Sequence, residues 1–273
     1  MKRVLFSLLF ICASAQTPLQ AQNAASPHQP LDTASEVLPW QAVGRLDLGR
    51  SGFCTGAMIS QKLVLTAAHC VYDKGTGELR DAEEILFRAG YRNGRAAAER
   101  KGKRIAVHPD YTYGGGTSTY SEISNDVAVI ELSHPINNAA IQPFRTHRQP
   151  TANDPVTVVS YARGRSEVPA LEDGCKMTHA AREVLHYTCD IDFGASGSPV
   201  FVATDQGPQI ASVMSSVGTR GSNDIALGAA MGPSVDRLVR QLQTSNPTSK
   251  FVTVGNSARA TGVVTSRLPQ ITN

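Results

Sequence analysis

The chain has 273 residues, enough to bury a sizeable hydrophobic core in one or two domains. Hydrophobic residues make up 41% of the sequence and charged residues 18%, a balance that excludes an intrinsically disordered chain. The formal net charge is only +3 and no long run of Lys and Arg occurs, so we expect no nucleic acid as a partner.

The N-terminus has the pattern of an export signal. Lys2 and Arg3 form a basic start, and an apolar run of nine residues, Val4 to Cys12, follows before a small-residue cleavage pattern. We place this signal at residues 1–21. The apolar run is too short to cross a bilayer, so no stable membrane anchor is expected and the chain should be secreted or periplasmic. The alternative is a buried N-terminal strand or helix.

Four cysteines remain after the signal: Cys54, Cys70, Cys175 and Cys189. An even number in an exported chain indicates two disulfides, for which three pairings exist. The short separations favour Cys54–Cys70 and Cys175–Cys189. A zinc site is the alternative explanation, but the sequence has no C-x-x-C pair, so we expect no metal.

Residues 22–36 are polar and aperiodic, which predicts a flexible leader or propeptide. Over residues 37–245, short runs rich in Val and Ile alternate with turn-rich stretches, a pattern typical of an all-β sandwich or barrel. Seven of these runs are predicted strands: Ala57–Ile59, Leu63–Leu65, Ile85–Phe87, Val127–Ile130, Val156–Val159, Pro199–Val202 and Ile210–Met214.

Three other segments have distinct patterns. The stretch from Tyr111 to Ser124 contains three consecutive glycines and is predicted to be a loop. The stretch from Pro233 to Leu242 is predicted to be a helix, because a proline suits the first turn and apolar residues recur at helical spacing. Residues 246–273 are polar and weakly patterned, so an extra strand, a tail and a processed segment all remain open.

Three short motifs carry reactive side chains and follow one another along the chain. They are T-A-A-H-C around His69, N-D-V-A-V-I-E-L around Asp126, and G-A-S-G-S-P around Ser196. Each has an ordinary structural explanation when taken alone: a core or turn histidine, a turn before a strand, and a tight turn of small residues. Only the combination of the three motifs indicates a catalytic site.

Together, the three side chains supply what acyl transfer requires. A serine hydroxyl is a poor nucleophile until a base removes its proton, and imidazole does so near neutral pH. A buried carboxylate fixes the tautomer of that imidazole and stabilises the imidazolium as it forms. Gly194 has no side chain, which lets substrate approach closely while backbone N–H groups point at the developing oxyanion.

These motifs resemble those of the trypsin/chymotrypsin family of serine peptidases, in particular its exported bacterial members, including the V8-like branch. The resemblance covers roughly residues 37–242. It implies two packed six-stranded antiparallel β-barrels, joined near residues 140–155, with the reactive residues in the cleft between them and a helix at the C-terminal end. It also implies that the reaction needs no metal or organic cofactor.

The resemblance assigns a role to each residue of the motifs. His69 would act as general base and then general acid, Asp126 would orient it, and Ser196 would attack the scissile carbonyl and form an acyl-enzyme. The backbone N–H groups of Gly194 and Ser196 would form the oxyanion hole. The disulfide Cys54–Cys70 would brace the histidine loop, and Cys175–Cys189 would brace the second barrel.

The resemblance also points to a pocket for the P1 residue, which precedes the scissile bond. Asp190, six residues before the nucleophile, would lie at the base of this pocket and favour Arg or Lys through a charge-assisted pair. The alternative is that Asp190 or Asp192 caps a loop. Ser215 and Val217 would form the pocket wall.

Two features of the pocket region depart from particular relatives. Met214 stands where the V8-like branch carries a histidine that recognises glutamate, which argues against Glu at P1. Ala195 replaces the aspartate that pairs with the new N-terminal amine of trypsin, so we expect that activation switch to be absent. The alignment of the wall is loose, and Ser212 is an alternative to Ser215.

The sequence therefore predicts an exported serine endopeptidase that acts on protein or peptide substrates, and we expect a monomer. One alternative is a catalytically silent binding module on the same fold. Another is an α/β-hydrolase esterase, which needs G-x-S-x-G and the order Ser, acid, His. Here Ser198 interrupts that motif and His69 precedes Ser196.

Overall fold

The computed structural model describes residues 28–115, 119–147, 150–220 and 223–245, together with the short strand 251–253. Three α-helices lie in these ranges: α1 (Ala34–Val37), α2 (Tyr120–Ser124) and α3 (Pro233–Thr244). The strands, in chain order, are β1 (Gln29–Pro30), β2 (Val43–Leu48), β3 (Phe53–Met58), β4 (Leu63–Thr66), β5 (Ile85–Ala89), β6 (Ala98–Val107), β7 (Ala128–Leu132), β8 (Pro155–Ala162), β9 (Arg165–Ala181), β10 (Val184–Tyr187), β11 (Pro199–Thr204), β12 (Gly207–Arg220), β13 (Asn223–Ala230) and β14 (Phe251–Thr253).

The first half of the chain forms a closed barrel. Its six strands pair antiparallel in the order β6-β5-β2-β3-β4-β7, and β7 returns to pair with β6, so the sheet has no free edge among these strands. Side chains alternate along β5, where Ile85, Phe87 and Ala89 are buried and the residues between them are half-exposed. Burial of this alternate set builds the barrel core.

The second half repeats this architecture with different strands. The order β9-β10-β13-β12-β11-β8 closes through pairing of β8 with β9, again antiparallel. Val200, Met214 and Tyr187 are fully buried inside this barrel. The prediction of two six-stranded antiparallel barrels is therefore confirmed. The connection between β7 and β8 spans residues 133–154, which overlaps the junction predicted near residues 140–155.

Residues 28–36, which belong to the predicted leader or propeptide, are folded. Strand β1 pairs with β9 of the second barrel, and Leu31 is only 3% exposed. Helix α1 begins at a capping box in which Thr33 and Glu36 exchange hydrogen bonds between side chain and backbone. Burial and capping together stabilise a segment that its polar composition does not predict as ordered. The predicted signal and the rest of the leader lie outside the described residues.

The structure adds detail to the predictions for the loop from Tyr111 to Ser124 and for the C-terminal tail. The predicted loop from Tyr111 to Ser124 ends in helix α2, which is capped by Thr119 and Glu122 in a second capping box. The tail contributes strand β14, which runs parallel to β6, so residues 251–253 form an extra strand. The rest of the tail lies outside the described residues.

The predicted C-terminal helix and both disulfide pairings are confirmed. Helix α3 extends the predicted segment by two residues, to Thr244, and buries Val235, Leu238 and Leu242. Bonds join Cys54 to Cys70 and Cys175 to Cys189. Within the ranges described, none of the helices has the length and apolar character needed to span a bilayer.

The N-terminal segment should contribute measurably to stability. Because Leu31 is buried in the core, Leu31→Ala is expected to lower the free energy of unfolding by about 2–5 kcal/mol. The neighbouring exposed residue provides the matched control, and Gln29→Ala should change stability by less than about 0.5 kcal/mol. Denaturant unfolding of the two variants distinguishes a folded segment from a dispensable leader, for which both changes would be equally small.

Candidate active site

A single buried carboxylate fixes the position of His69. Asp126 lies immediately before β7 and its side chain is only 4% exposed. One carboxylate oxygen accepts the backbone N–H of His69 at 2.8 Å, and the other lies 2.7 Å from His69 Nδ1. The two bonds orient the imidazole so that its other nitrogen, Nε2, remains available for chemistry. The ring itself is 21% exposed and lines the cleft.

The second barrel supplies a third partner for this carboxylate. Ser215, in β12, donates its hydroxyl hydrogen to Asp126 Oδ2. A buried carboxylate is costly unless its oxygens are paired, and three donors from two barrels meet that need here. The same serine lines the cleft, so the structure places it in the predicted wall and also gives it a structural role at Asp126.

Local chain geometry explains why His69 points into the cleft. The residue lies in a 3₁₀ helix, Ala68–Val71, that turns the chain directly after β4. The disulfide from Cys70 to Cys54 ties this turn to β3. The histidine is therefore held at both its side chain and its backbone.

Ser196 lies in a tight turn that both barrels hold. Its carbonyl accepts the N–H of Thr55, in β3, at 2.9 Å, while the next residue, Gly197, donates its N–H to the carbonyl of Met214, in β12. Thr55 also donates its hydroxyl hydrogen to the carbonyl of Gly194 at 3.0 Å. Sequence analysis missed this threonine, although it stands in the F-C-T-G segment before the histidine motif.

The serine and histidine line the same cleft without a direct hydrogen bond in the described structure. The polar contact of His69 Nε2 is the sulfur of Cys70, at 3.7 Å. Catalytic hydrogen bonds are often long in the absence of substrate and tighten when substrate binds. Ser196, His69 and Asp126 therefore line one cleft, in which His69 is bound to Asp126.

The turn before the nucleophile requires glycine. Gly194 has φ +98°, and a Cβ added there would lie 2.3 Å from Cε2 of Phe53. In the described part of the chain, neither the N–H of Gly194 nor that of Ser196 donates to another protein group. Both donors are thus available to an oxyanion, as the sequence predicts.

Adding a methyl group at this glycine should reduce catalysis. Gly194→Ala is expected to lower kcat about 100- to 1000-fold, because the collision with Phe53 displaces an oxyanion donor. Gly207→Ala is the matched control, since Gly207 has φ +91° but nothing lies within 4 Å of its added Cβ. Equal losses of activity in the two variants would mean that backbone strain, and not the position of the donor, causes the effect.

The cleft between the barrels has a volume of about 430 Å³. It is bounded on one side by the start of the 111–115 loop and on the other by Ser215, Ser216 and Val217. Tyr72 packs between two tyrosines of that loop, with ring centroids 5.6 Å from Tyr111 and 5.4 Å from Tyr113. Val217 thus lines the cleft, while the aromatic side of the cleft was not anticipated.

Asp190 does not lie where the sequence places it, so this expectation is corrected. Its side chain is 69% exposed and lies 3.6 Å from His28 Nε2, outside the cleft lining. Its backbone N–H donates to both carboxylate oxygens of the buried Glu172, at 3.0 and 3.1 Å. Burial raises the pKa of Glu172 and lowers that of His28. This anchoring by Glu172 turns the Asp190 side chain outward.

Other carboxylates line the cleft instead. Asp192 and Glu122 both border it, along with Asp126.

The alternative wall residue, Ser212, is fully buried and donates its hydroxyl hydrogen to the carbonyl of Ala229. Met214 is fully buried in the core of the second barrel. The side chains that line the cleft are therefore Ser215 and Val217 rather than Ser212 and Met214.

Two groups of potential metal ligands occur in the described ranges. One joins His69 to the sulfurs of Cys54 and Cys70, and the other joins Glu172 to the sulfurs of Cys175 and Cys189. In both groups the sulfurs are paired in a disulfide, and the form of cysteine that binds metal is the thiolate. Neither group has the donor chemistry of a metal centre.

The fold and the site define a trypsin-like serine peptidase, and residues 31–229 match the family described as Trypsin. The chain therefore belongs to this family. Among curated proteins, it is similar to a glutamyl endopeptidase of Bacillus licheniformis, with 26% identity over 170 residues that cover 62% of this chain and 51% of the relative. It is also similar to a trypsin of Phaedon cochleariae, with 32% identity over 39% of this chain and 37% of the relative.

The chain thus spans about half the length of the first of these relatives and less of the second. Among solved structures, a Glu endopeptidase aligns with a TM-score of 0.63 and 20% identity, covering 80% of this chain and 97% of the other. The serine protease AL20 from an extremophilic microorganism aligns with a TM-score of 0.62 and 16% identity, covering 77% of this chain and 100% of the other. These similarities establish the fold.

Proposed function

We propose that this chain is a serine endopeptidase that hydrolyses peptide bonds through an acyl-enzyme on Ser196. The observation that carries the proposal is the Asp126 carboxylate, which binds both Nδ1 and the backbone N–H of His69. A histidine held in this way has one tautomer, with its proton on Nδ1 and its lone pair on Nε2. No other described carboxylate in the cleft has such contacts with an imidazole.

Each step of the reaction uses a group already described. Nε2 of His69 takes the proton of the Ser196 hydroxyl as its oxygen attacks the carbonyl carbon. The carbonyl oxygen becomes an oxyanion that the N–H groups of Gly194 and Ser196 stabilise. The imidazolium then gives its proton to the leaving amine, and the acyl-enzyme remains. A water molecule, deprotonated by His69, attacks this ester and releases the acid product and the free hydroxyl.

Basic residues are the proposed P1 preference. Asp192 and Glu122 line the same cleft as Ser215 and Val217, and a carboxylate there favours Arg or Lys by Coulomb attraction. The only histidine among the described lining residues is His69 itself. The similar glutamyl endopeptidase acts on glutamyl bonds by its name, whereas the carboxylates that border this chain's cleft would repel a glutamate at P1.

Export is also part of the proposal. Two disulfides suit an oxidising compartment, and the signal predicted over residues 1–21 would direct the chain there. Secretion and the periplasm are equally consistent with these features. The proposed partner is a protein or peptide substrate, bound by a monomer.

The test combines labelling with cleavage. The purified oxidised chain is treated with an organophosphonate probe for active serines, and the modified residue is located by mass spectrometry. A peptide library with mixed P1 residues is digested in parallel. We expect an adduct on Ser196 and cleavage after Arg and Lys. Labelling with cleavage after other residues would reject only the P1 preference, while neither labelling nor cleavage would indicate a silent binding module.

A further inference from the structure

A second cavity, of about 200 Å³, adjoins the reacting pair. It shares His69, Lys74, Phe193 and Ser196 with the main cleft but is bounded by the disulfide Cys54–Cys70 instead of by β12. The two reacting residues therefore lie between two binding spaces. A peptide that presents its scissile bond to Ser196 fills both of them.

The two spaces hold opposite parts of the substrate. The proposed P1 pocket belongs to the side of Ser215 and Val217, so the acyl part of the peptide occupies the main cleft. The part that leaves as an amine extends the other way, past His69, into the second cavity. The lining of this cavity therefore decides which residues are favoured just after the scissile bond.

The second cavity is lined by three cations, Lys74, Arg80 and Arg163, and by no carboxylate among the described residues. Arg80 is buried and is already paired with Asp73 at 3.0 Å, so its charge is largely neutralised. Lys74 and Arg163 are exposed, and the structure shows no ion pair for either in the ranges it describes. Two positive charges without a described ion pair thus line the second cavity: Arg163 lines this cavity alone, whereas Lys74 stands at the border and lines the main cleft too.

Arg163 is held in place at the rim. Its guanidinium lies over the ring of Phe193, 4.2 Å from the centroid, and its backbone N–H donates to the carbonyl of the same residue. Phe193 is 65% exposed and directly precedes Gly194. Because the guanidinium stacks through its flat face, the N–H groups at its edge stay free. These N–H groups can form a bidentate pair with a carboxylate.

We propose that this cavity selects an acidic side chain at one of the first two positions after the scissile bond, through Arg163 and Lys74. The inference rests on the proposed function and deepens it. Combined with Asp192 and Glu122 in the main cleft, it gives the site a charge polarity along the peptide. The substrate class is then a chain with a basic residue before the cut and an acidic residue after it.

The test uses quenched fluorescent peptides that share one acyl part and differ at the first two positions after the cut. Asp is compared with Asn and Glu with Gln, because each pair has the same shape and differs in charge. We expect kcat/KM several-fold higher for the acids than for the amides, and about ten-fold higher than for Lys, since partly exposed pairs give modest attraction. The preference should shrink in 0.5 M NaCl, where such pairs are screened.

Variants assign the preference to the two cations. Arg163→Gln and Lys74→Gln should each reduce the ratio of acid to amide, and Arg163→Glu should reverse it towards Lys. Arg95→Gln, which removes an exposed arginine that lines neither cavity, should leave the ratio unchanged. Because both cations are exposed, loss of folding does not obscure the comparison.

The outcomes separate this inference from the proposed function. Hydrolysis with equal rates for acids and amides, or a preference that survives in the double variant of Arg163→Gln and Lys74→Gln, overturns the inference and leaves the peptidase proposal intact. Hydrolysis of no peptide, together with no phosphonate adduct on Ser196, overturns both.

Discussion

Replacing Ser196 with alanine is expected to lower kcat for peptide hydrolysis by about 10⁶-fold. The substitution removes the hydroxyl oxygen that, in the proposed reaction, forms the acyl-enzyme. The residual rate would come from the oxyanion donors and from substrate binding alone. Steady-state hydrolysis of the best peptide from the P1 library measures the change.

The same variant should fold like the unmodified chain. The contacts that hold this turn are made by the backbone, since Thr55 donates to the carbonyl of Ser196 and Gly197 donates to that of Met214. We therefore expect the midpoint of thermal unfolding to change little. Hydrolysis at an unreduced rate by folded Ser196→Ala would refute the assignment of the nucleophile.

The reactive residues could be predicted from the sequence because each lies in a short motif with its own structural reason. His69 follows a strand and precedes a cysteine, and Ser196 lies between Gly194 and Gly197, whose positive φ angles favour glycine. The predicted position of the Asp190 side chain was wrong because it does not follow from a local motif. Its orientation depends on Glu172, 18 residues away in the chain, and a long-range hydrogen bond of this kind has no local signal.

Strand prediction succeeded for short runs rich in Val and Ile and failed for strands without such a run. The run from Val127 to Ile130 is fully buried, whereas the first half of β6 (Ala98–Val107) alternates between exposed and half-exposed residues. Polar strands such as β6 and much of β9 face solvent and carry no apolar run. They are strands because neighbouring strands pair with them.

Helices α1 and α2 were not predicted, although the sequence at the N-terminus of each contains a capping-box motif. Thr33-x-x-Glu36 opens α1 and Thr119-x-x-Glu122 opens α2, and each forms a capping box in the structure. A threonine followed three residues later by glutamate is a known start signal for a helix. The surrounding polar composition outweighed this signal, although burial of Val37 and Ile123 supplies the apolar contact that each helix needs.

Replacing Asp126 with asparagine should lower kcat by about 10⁴-fold. The carboxylate has three donors, the Nδ1–H and backbone N–H of His69 and the hydroxyl of Ser215. An amide keeps the shape but offers only one acceptor atom and turns an NH₂ group towards one of these donors. The imidazole then moves its proton to Nε2 to accept this NH₂, and it can no longer take the proton of Ser196.

The measurement is kcat for the same peptide, compared with Asp205→Asn, which makes the same change at an exposed turn between β11 and β12. The control should hydrolyse at the rate of the unmodified chain. Phosphonate labelling of Ser196 should also slow in Asp126→Asn, since it depends on the same base. A loss below ten-fold would mean that the Asp126 carboxylate does not set the tautomer of His69. In that case the two short bonds to His69 would serve only to hold the loop.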